Sequence, residues 1–347
     1  MEKRTTIYDL AAKLGVSVAT VNRALTDKPR VSDETRDMVL KAAKEMGFKP
    51  NSLARSLSRR VLRLGVLAFT SFPEFHRQFI DGAKSAASEL EDFNVSINFF
   101  SYDEGMSDTP EAERFLSERL EYFLDERYDG ALVLARHTQD FAGFASKGVF
   151  LATAVNDIDP AMRRFHVCYN GFVAGRIAAE LIYRFMPDHD RPVAIASGWQ
   201  GTGIHTTIDR GFCSQLQTMP MKLFRICYNN DNENIAYEST IRLLKDCPDL
   251  GAVYVNSFNS RGVVRAIEHE GRLGKVMLVT SDIYDELRGW IAEGIVTASI
   301  FQNQFEQGRR GIHMLYHALA DNESYDDVVM IDPQIILASN LECFSQR

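Results

Sequence analysis

Apolar positions in the first fifty residues recur at helical spacing. After residue 60 they come in short runs separated by amphipathic stretches. Ile7, Leu10, Ala11 and Leu14 form one stripe, which predicts a helix capped by Thr5 or Thr6 with Asp9 in its first turn. Gly15 ends that helix, and Ser17 caps a second, Val18 to Leu25, with Val21 and Leu25 turned inward. Ser32 opens a third helix that runs to Met46, where Gly47 stops it; Val39, Ala42, Ala43 and Met46 close the small core. A break at Lys49-Pro50 precedes one or two further helical turns through Leu57.

The pattern changes at Leu62. Strand-length runs are expected at 62–69, 95–100, 130–134, 149–154, 193–196, 222–227, 252–255, 276–280 and 296–301. Helical stretches fall between them, at 75–90, 111–125, 171–185, 206–217, 236–245, 260–269 and 284–292. Short apolar strands alternating with helices imply parallel sheets covered on both faces, and so many units imply two lobes. Ligands of such folds bind beyond the carboxyl ends of the strands, in the cleft between lobes.

Composition alters this picture mainly through charge. The chain has 347 residues and a formal net charge of −8. Residues 1–60 nevertheless hold 13 Lys+Arg against 7 Asp+Glu, so the basic end is a candidate nucleic-acid binder. Five cysteines without C-x-x-C spacing suggest buried thiols in a reducing compartment. No signal core or membrane-length apolar window occurs, so a cytoplasmic location is expected. Catalytic and metal motifs are not evident. Ser197–Gly203 is glycine-rich but lacks phosphate-loop or dinucleotide spacing, and the eight histidines show no H-E-x-x-H. Ser197, His205 and Asp209 make a triad only on paper.

Two helices joined through Gly15 form a helix-turn-helix, whose second helix enters the major groove. Val18, Ala19, Asn22 and Arg23 share one side of it. Arg23 suits guanine, Val18 and Ala19 offer apolar contact, and Thr20 and Asn22 suit phosphate. The run TIYDLAAKLGVSVATVNRAL, followed by VSDETRDMVLKAAKEMGFKPNSLARSL, resembles the DNA-binding head and hinge of the LacI/GalR family of bacterial transcription regulators. That resemblance implies a hinge helix in the minor groove, with Leu57 as the wedge between base steps, Ala54 on the same face and Arg55 beside the groove. The implied DNA-contacting set is Thr6, Ser17, Val18, Ala19, Thr20, Asn22 and Arg23 in the head, and Asn51, Ala54, Arg55 and Leu57 in the hinge.

More loosely, the remainder resembles the sugar-binding fold shared by these regulators and periplasmic sugar-binding proteins. By that resemblance Asn256, Asp282 and Gln302 hydrogen-bond sugar hydroxyls. Phe72 or Phe75 stacks on the sugar face, and Asn156 or Asp157 closes the N-lobe side. The chain also departs from the pattern. Relatives often carry an arginine where Ile208 stands; His205 lies one helical turn earlier, and Ser257 occupies a place where aspartate is common.

The expected architecture is α/β: a small all-α helix-turn-helix head and a two-lobed, periplasmic-binding-protein-like domain of parallel sheets flanked by helices. Residues 1–49 are the head, 50–60 the hinge and 61–347 the effector and dimerisation domain. Its N-lobe spans about 61–168 plus 302–330, and its C-lobe about 169–300 plus 331–347. The expected function is that of a repressor, a homodimer on a pseudo-palindromic operator in double-stranded DNA, controlled by a carbohydrate or derivative. No enzyme activity, cofactor, metal or membrane partner is expected.

Overall fold

The computed structural model describes residues 5–25, 29–46, 48, 60–69, 73–102, 109–135, 140–200 and 203–344. The chain forms a head within Met1–Val61 and a larger unit that begins at Leu62. In the head, α1 (Ile7–Leu14), α2 (Val18–Leu25) and α3 (Asp33–Glu45) close over Leu10, Ala11, Val21, Ala24, Val39, Ala42 and Ala43. Thr6 is the cap residue of α1. Its hydroxyl accepts from the Asp9 amide at 3.3 Å while the Asp9 carboxylate accepts from the Thr6 amide at 2.7 Å, a reciprocal capping box. Gly15 leaves the helix at φ +65°, as its place at the end of the apolar stripe predicts. The inward pair on α2 is Val21 and Ala24; Leu25 packs only at the core's edge. α3 ends at Glu45 with Met46 as its cap, and Thr5 Oγ1 donates to the Met46 carbonyl at 2.8 Å.

The larger unit begins with β1 (Leu62–Phe69), α4 (Pro73–Glu89), β2 (Val95–Tyr102), α5 (Pro110–Asp125), β3 (Gly130–Val133), α6 (Ala142–Lys147), β4 (Phe150–Ala154) and β5 (Phe165–Tyr169). Then come α7 (Gly171–Phe185), β6 (Val193–Ser197), α8 (Gly203–Leu216), β7 (Leu223–Tyr228), α9 (Glu233–Asp246) and β8 (Ala252–Val255). The chain continues through α10 (Ser260–His269), β9 (Met277–Ser281), α11 (Asp285–Ala292) and β10 (Ala298–Phe301). It closes with α12 (Gln304–Asp321), β11 (Val328–Ile331) and β12 (Gln334–Ile336).

These strands make two six-stranded sheets. One has the order β11-β5-β4-β3-β1-β2 and is parallel throughout. The other has the order β12-β10-β9-β8-β6-β7 and is parallel except for the edge strand β12. The chain passes from sheet to sheet after β5, after β10 and after β11. In β6 the strand alternation is plain. Val193 and Ile195 face α7 and α8, whereas Ala194 and Ala196 face the layer of α9, α10 and α11. Both faces are thus covered, the arrangement a parallel sheet requires.

The sequence did not signal β5, β11, β12, α6 or α12. β5 carries His166 and Cys168 within five residues, and β11 and β12 have only four and three residues, too few to set a periodicity. β12 owes its place to pairing with β10, a tertiary cause invisible in its own residues.

In both lobes, glycines bring helix pairs into backbone-to-backbone contact. A Cβ on Gly175 of α7 would overlap the Ile208 carbonyl of α8, and one on Gly211 would overlap the Phe172 carbonyl. Gly82 and Gly308 bring α4 and α12 together in the same reciprocal way. Substituting Gly175 by Ala should therefore overpack the α7–α8 seam and cost about 1–3 kcal/mol. Gly289→Ala serves as the opposite case: this glycine lies within α11 with open space around it, so the change should gain up to about 1 kcal/mol. Denaturant midpoints of the two variants, moving in opposite directions, check the point.

Candidate DNA interface and effector cleft

On the head, Ser17 Oγ accepts from the Thr20 amide at 3.0 Å and so opens α2. With Val21 and Ala24 turned into the core, Ala19, Asn22 and Arg23 stand on the opposite side. Asn22 and Arg23 are exposed, while Val18 and Thr20 are less so. An exposed guanidinium on that face has the reach and fork geometry for guanine O6 and N7. Val18 packs in part against the head core, so less of it faces outward than the sequence suggested. One residue that sequence reasoning passed over is Tyr8, 70% exposed on α1; its signal was an aromatic standing off the apolar stripe. Asn51, Ala54, Arg55 and Leu57 lie outside the described residues.

In the larger unit, the carboxyl ends of the second sheet's strands gather polar side chains. Asp282, just after β9, is 1% exposed and holds φ at +66°, a left-handed conformation that aspartate tolerates better than most residues. Its carboxylate accepts from Gln302 Nε2 at 2.8 Å and from Gln304 Nε2 at 2.7 Å. Burial nonetheless pushes its pKa up to about 7 against those lowering hydrogen bonds. The two residues that the sequence paired here, Asp282 and Gln302, therefore touch. Gln304 was missed because it opens α12, a helix the sequence did not signal. Its Oε1, and Oε1 of nearby Gln307, are buried without a donor among the described residues.

Asn256, after β8, is also buried, but its amide is engaged within the lobe. Nδ2 donates to Ser197 Oγ at 3.0 Å and to Asp209 Oδ1 at 2.6 Å, and Oδ1 accepts from the Gly198 amide at 3.1 Å. Asn256 therefore fixes the Gly198 loop. Ser197 donates to Asp209 at 3.0 Å, and His205 Nδ1 accepts from the Trp199 amide at 3.0 Å. The serine hydroxyl is thus committed to the carboxylate, and no nucleophile–base–acid relay is formed. Burial lowers the His205 pKa to about 4 and raises that of Asp209 to about 6. Asp231, in the loop after β7, lies against Gly198 and His205, and burial raises its pKa to about 7.

The N-lobe candidates fare differently. Phe75 is 9% exposed, meets Phe258 edge-to-face at 6.1 Å and belongs to the core of the other lobe. Its ring bridges the lobes. Asp157 is gripped by Arg163, with Nε to Oδ1 and Nη2 to Oδ2 both at 2.6 Å. Burial pulls its pKa upward, but that fork overrides it and holds the carboxyl below the usual range. Arg163, its side chain fully buried, also reaches Asp327 at 2.6 Å, and so ties β4, β5 and β11 together. Asp157 is spoken for by this structural pair. Asn156 follows a γ-turn of the rare positive-φ kind: its amide donates to the Ala154 carbonyl at 2.7 Å across Val155, whose φ is +64°. Phe72 lies outside the described residues.

The lobes are also joined by charge. Arg261 on α10 donates to Glu74 of α4 at 3.0 Å and to Glu286 of α11 at 2.7 Å, with its guanidinium 4.2 Å from the centre of the Tyr284 ring.

Comparison with known proteins identifies the two parts of the chain. Residues 6–51 match the lacI family of bacterial regulatory proteins, and residues 65–323 match the periplasmic binding protein domain. The chain is 38% identical to the HTH-type transcriptional regulator RegA of Clostridium saccharobutylicum over 94 residues, only 27% of this chain and 28% of that one. It is 22% identical to the HTH-type transcriptional repressor PurR of Pasteurella multocida over 353 residues, covering 97% and 98% of the two chains. Among solved structures, it is similar in fold to a periplasmic solute binding protein from Actinobacillus succinogenes with bound D-allose, at a TM-score of 0.72 and 17% identity, over 81% of this chain and 99% of that one.

The raised pKa of Asp282 has a thermodynamic consequence. The folded protein keeps a proton up to about pH 7 that the unfolded chain releases near pH 4. Its stabilising contribution is therefore complete below the unfolded pKa and lost as pH rises through the folded one. Between those limits Asp282→Asn should flatten the fall of stability with pH by about 1.4 kcal/mol per unit. Urea unfolding of both proteins across this range, without effector, checks it; equal slopes would mean that folded Asp282 is already ionised.

Proposed function

The chain belongs to the LacI family of bacterial regulatory proteins, with a periplasmic binding protein domain as its larger part, and on that footing we propose that it is a repressor. It binds a pseudo-palindromic operator as a homodimer in the cytoplasm, has no enzymatic role, and releases or tightens its grip when a small polar effector enters the cleft. Residues 1–49 serve as the reading head, 50–60 as the hinge, and 61–347 as the effector and dimerisation domain. The observation that carries the reading is the joining, in one chain, of an exposed α2 face centred on Arg23 and a set of strand-end polar residues centred on Asp282.

The chemistry supports each half. In a helix-turn-helix the second helix lies in the major groove, and two heads spaced by one helical turn require two copies of the chain. One head and one hinge bury too little surface for tight specific binding. The hinge is too short to hold a helix alone in water, so DNA and a second hinge are needed to order it, with Leu57 as wedge. On the effector side, Asp282 accepts, Gln302 both donates and accepts, and the carbonyl oxygens of Gln304 and Gln307 call for donors, a set suited to a polyol such as a sugar. RegA and PurR are both described as regulators or repressors, and D-allose occupies a solved structure of similar fold. No helix among the described residues is long and apolar enough to cross a membrane.

Replacing Arg23 by Ala should cost about 1–3 kcal/mol of operator binding and relax the preference at a single base position. Binding measured against an operator library reads both; equal weakening on every sequence would make Arg23 a phosphate contact instead. For the cleft, sugars, polyols and sugar acids should be screened by thermal shift on the full chain. A true effector at 100 times its Kd adds about 2.7 kcal/mol of stability. The gain should vanish in Gln302→Ala, and silence across the whole panel would instead point to control by a protein partner.

A further inference from the structure

The last two turns of α12 carry a histidine spacing distinct from H-E-x-x-H. His313, His317 and Asp321 recur every fourth residue, so all three lie along one side of the helix. The two imidazole rings are near-parallel, with centroids 6.3 Å apart. His313 is committed to the neighbouring helix: its Nε2 meets Glu89 Oε2 at 2.8 Å, and Glu89 is held by Arg309, which helps lower its pKa to about 2. His317 instead faces forward, with Nδ1 2.8 Å from Asp321 Oδ2.

The chain just beyond the helix brings a third group to that point. Asn322 takes the left-handed conformation, φ +56°, and the Glu323 amide returns to the His317 carbonyl at 3.3 Å. This turn folds Glu323 back over the end of α12. One ligand atom each from His317, Asp321 and Glu323 then lie within 4.8 Å of one another. The carboxylate of Glu323 is itself oriented: Tyr325 Oη donates to its Oε2 at 2.7 Å, and the Tyr325 ring rests edge-on against Phe165 at 5.9 Å.

We propose that His317, Asp321 and Glu323 form a binding site for a divalent first-row transition ion, with zinc as the reference case. One imidazole nitrogen and two carboxylate oxygens supply three protein ligands, and water completes a tetrahedron. Nitrogen and oxygen ligands without thiolate suit such ions. The setting favours a cation in a second way, because the carbonyls of the last helical turn are the negative end of the α12 dipole. Tyr325 plays the outer part that hydrogen-bonded partners of ligating carboxylates play elsewhere. A bound ion would pin the connection between α12 and β11, the segment that also delivers Asp327 to Arg163.

The test is calorimetric titration of the full chain with Zn²⁺ in a non-chelating buffer. The expected result is one site whose affinity falls about tenfold or more in each of His317→Gln, Asp321→Asn and Glu323→Gln. It should be unchanged in Cys343→Ser, which removes an exposed thiol. Melting of each variant without metal reports on folding. Should His317→Gln melt early, Glu323→Gln decides, since Glu323 is exposed and lies beyond the helix. Incidental coordination by a single histidine would be indifferent to Glu323→Gln, and that result, or loss of binding in Cys343→Ser, overturns the site.

Discussion

The buried carboxylate of Asp282 is the constraint around which the larger unit is arranged. It ends β9 in a left-handed conformation, and its oxygens hold Gln302 and Gln304. Those two residues flank the passage from the second sheet to the first, because β10 belongs to one and α12 packs on the other. A carboxyl group removed from water is costly unless hydrogen-bond partners surround it. Here the donors come from the segment that joins the lobes. A ligand that hydrogen-bonds Asp282 must compete with, or add to, the bonds that fix that passage. The hydrogen bonding proposed to recognise an effector is therefore also part of the joint between the lobes.

The rest of the inter-lobe contact is consistent with such a joint. Phe75 from one lobe sits in the core of the other against Phe258, and Arg261 bridges Glu74 and Glu286. Val155, a β-branched residue at positive φ, packs against the same core. Such a conformation costs about 1–3 kcal/mol and persists only where surrounding contacts enforce it. Apolar bridging, a partly exposed ion pair and local strain are all weak individually, so a ligand with a modest preference for one arrangement can shift the balance.

Much of this was legible in the sequence, and the limits have physical causes. Head helices were readable because their caps and stripes are local: Thr6, Gly15, Ser17 and Ser32 act within four residues of themselves. Asp282, Gln302 and Asn256 were singled out by the family resemblance, at the ends of strands that the alternation of elements predicted. What those side chains touch did not follow from either. Asn256 looked like a ligand contact, yet Asp209 and Ser197, 47 and 59 residues away, engage its amide. Asp157 looked available, yet Arg163 takes both its oxygens and joins them to Asp327, 164 residues further on. Polarity at a strand end is a sequence property; whether its hydrogen bonds are already satisfied is a tertiary one.

The head and the cleft meet in a question of leverage. α2 exposes Arg23, the proposed base reader, beside Ala19 and Asn22. A bidentate arginine–guanine pair supplies about 1–3 kcal/mol of discrimination. Bending a site of operator length costs about 1–6 kcal/mol and depends on sequences the protein never touches. On the proposed reading, with so sparse a reader, the larger part of specificity falls to deformation of the operator's centre, and hence to the proposed hinge with Leu57. A segment too short to stay helical alone in water, as proposed for residues 50–60, is also one that movement of an attached domain disturbs easily. On the proposed reading, an effector at Asp282 has no need to reach the reading helices. In that proposal it acts by changing how closely two short hinges are held together.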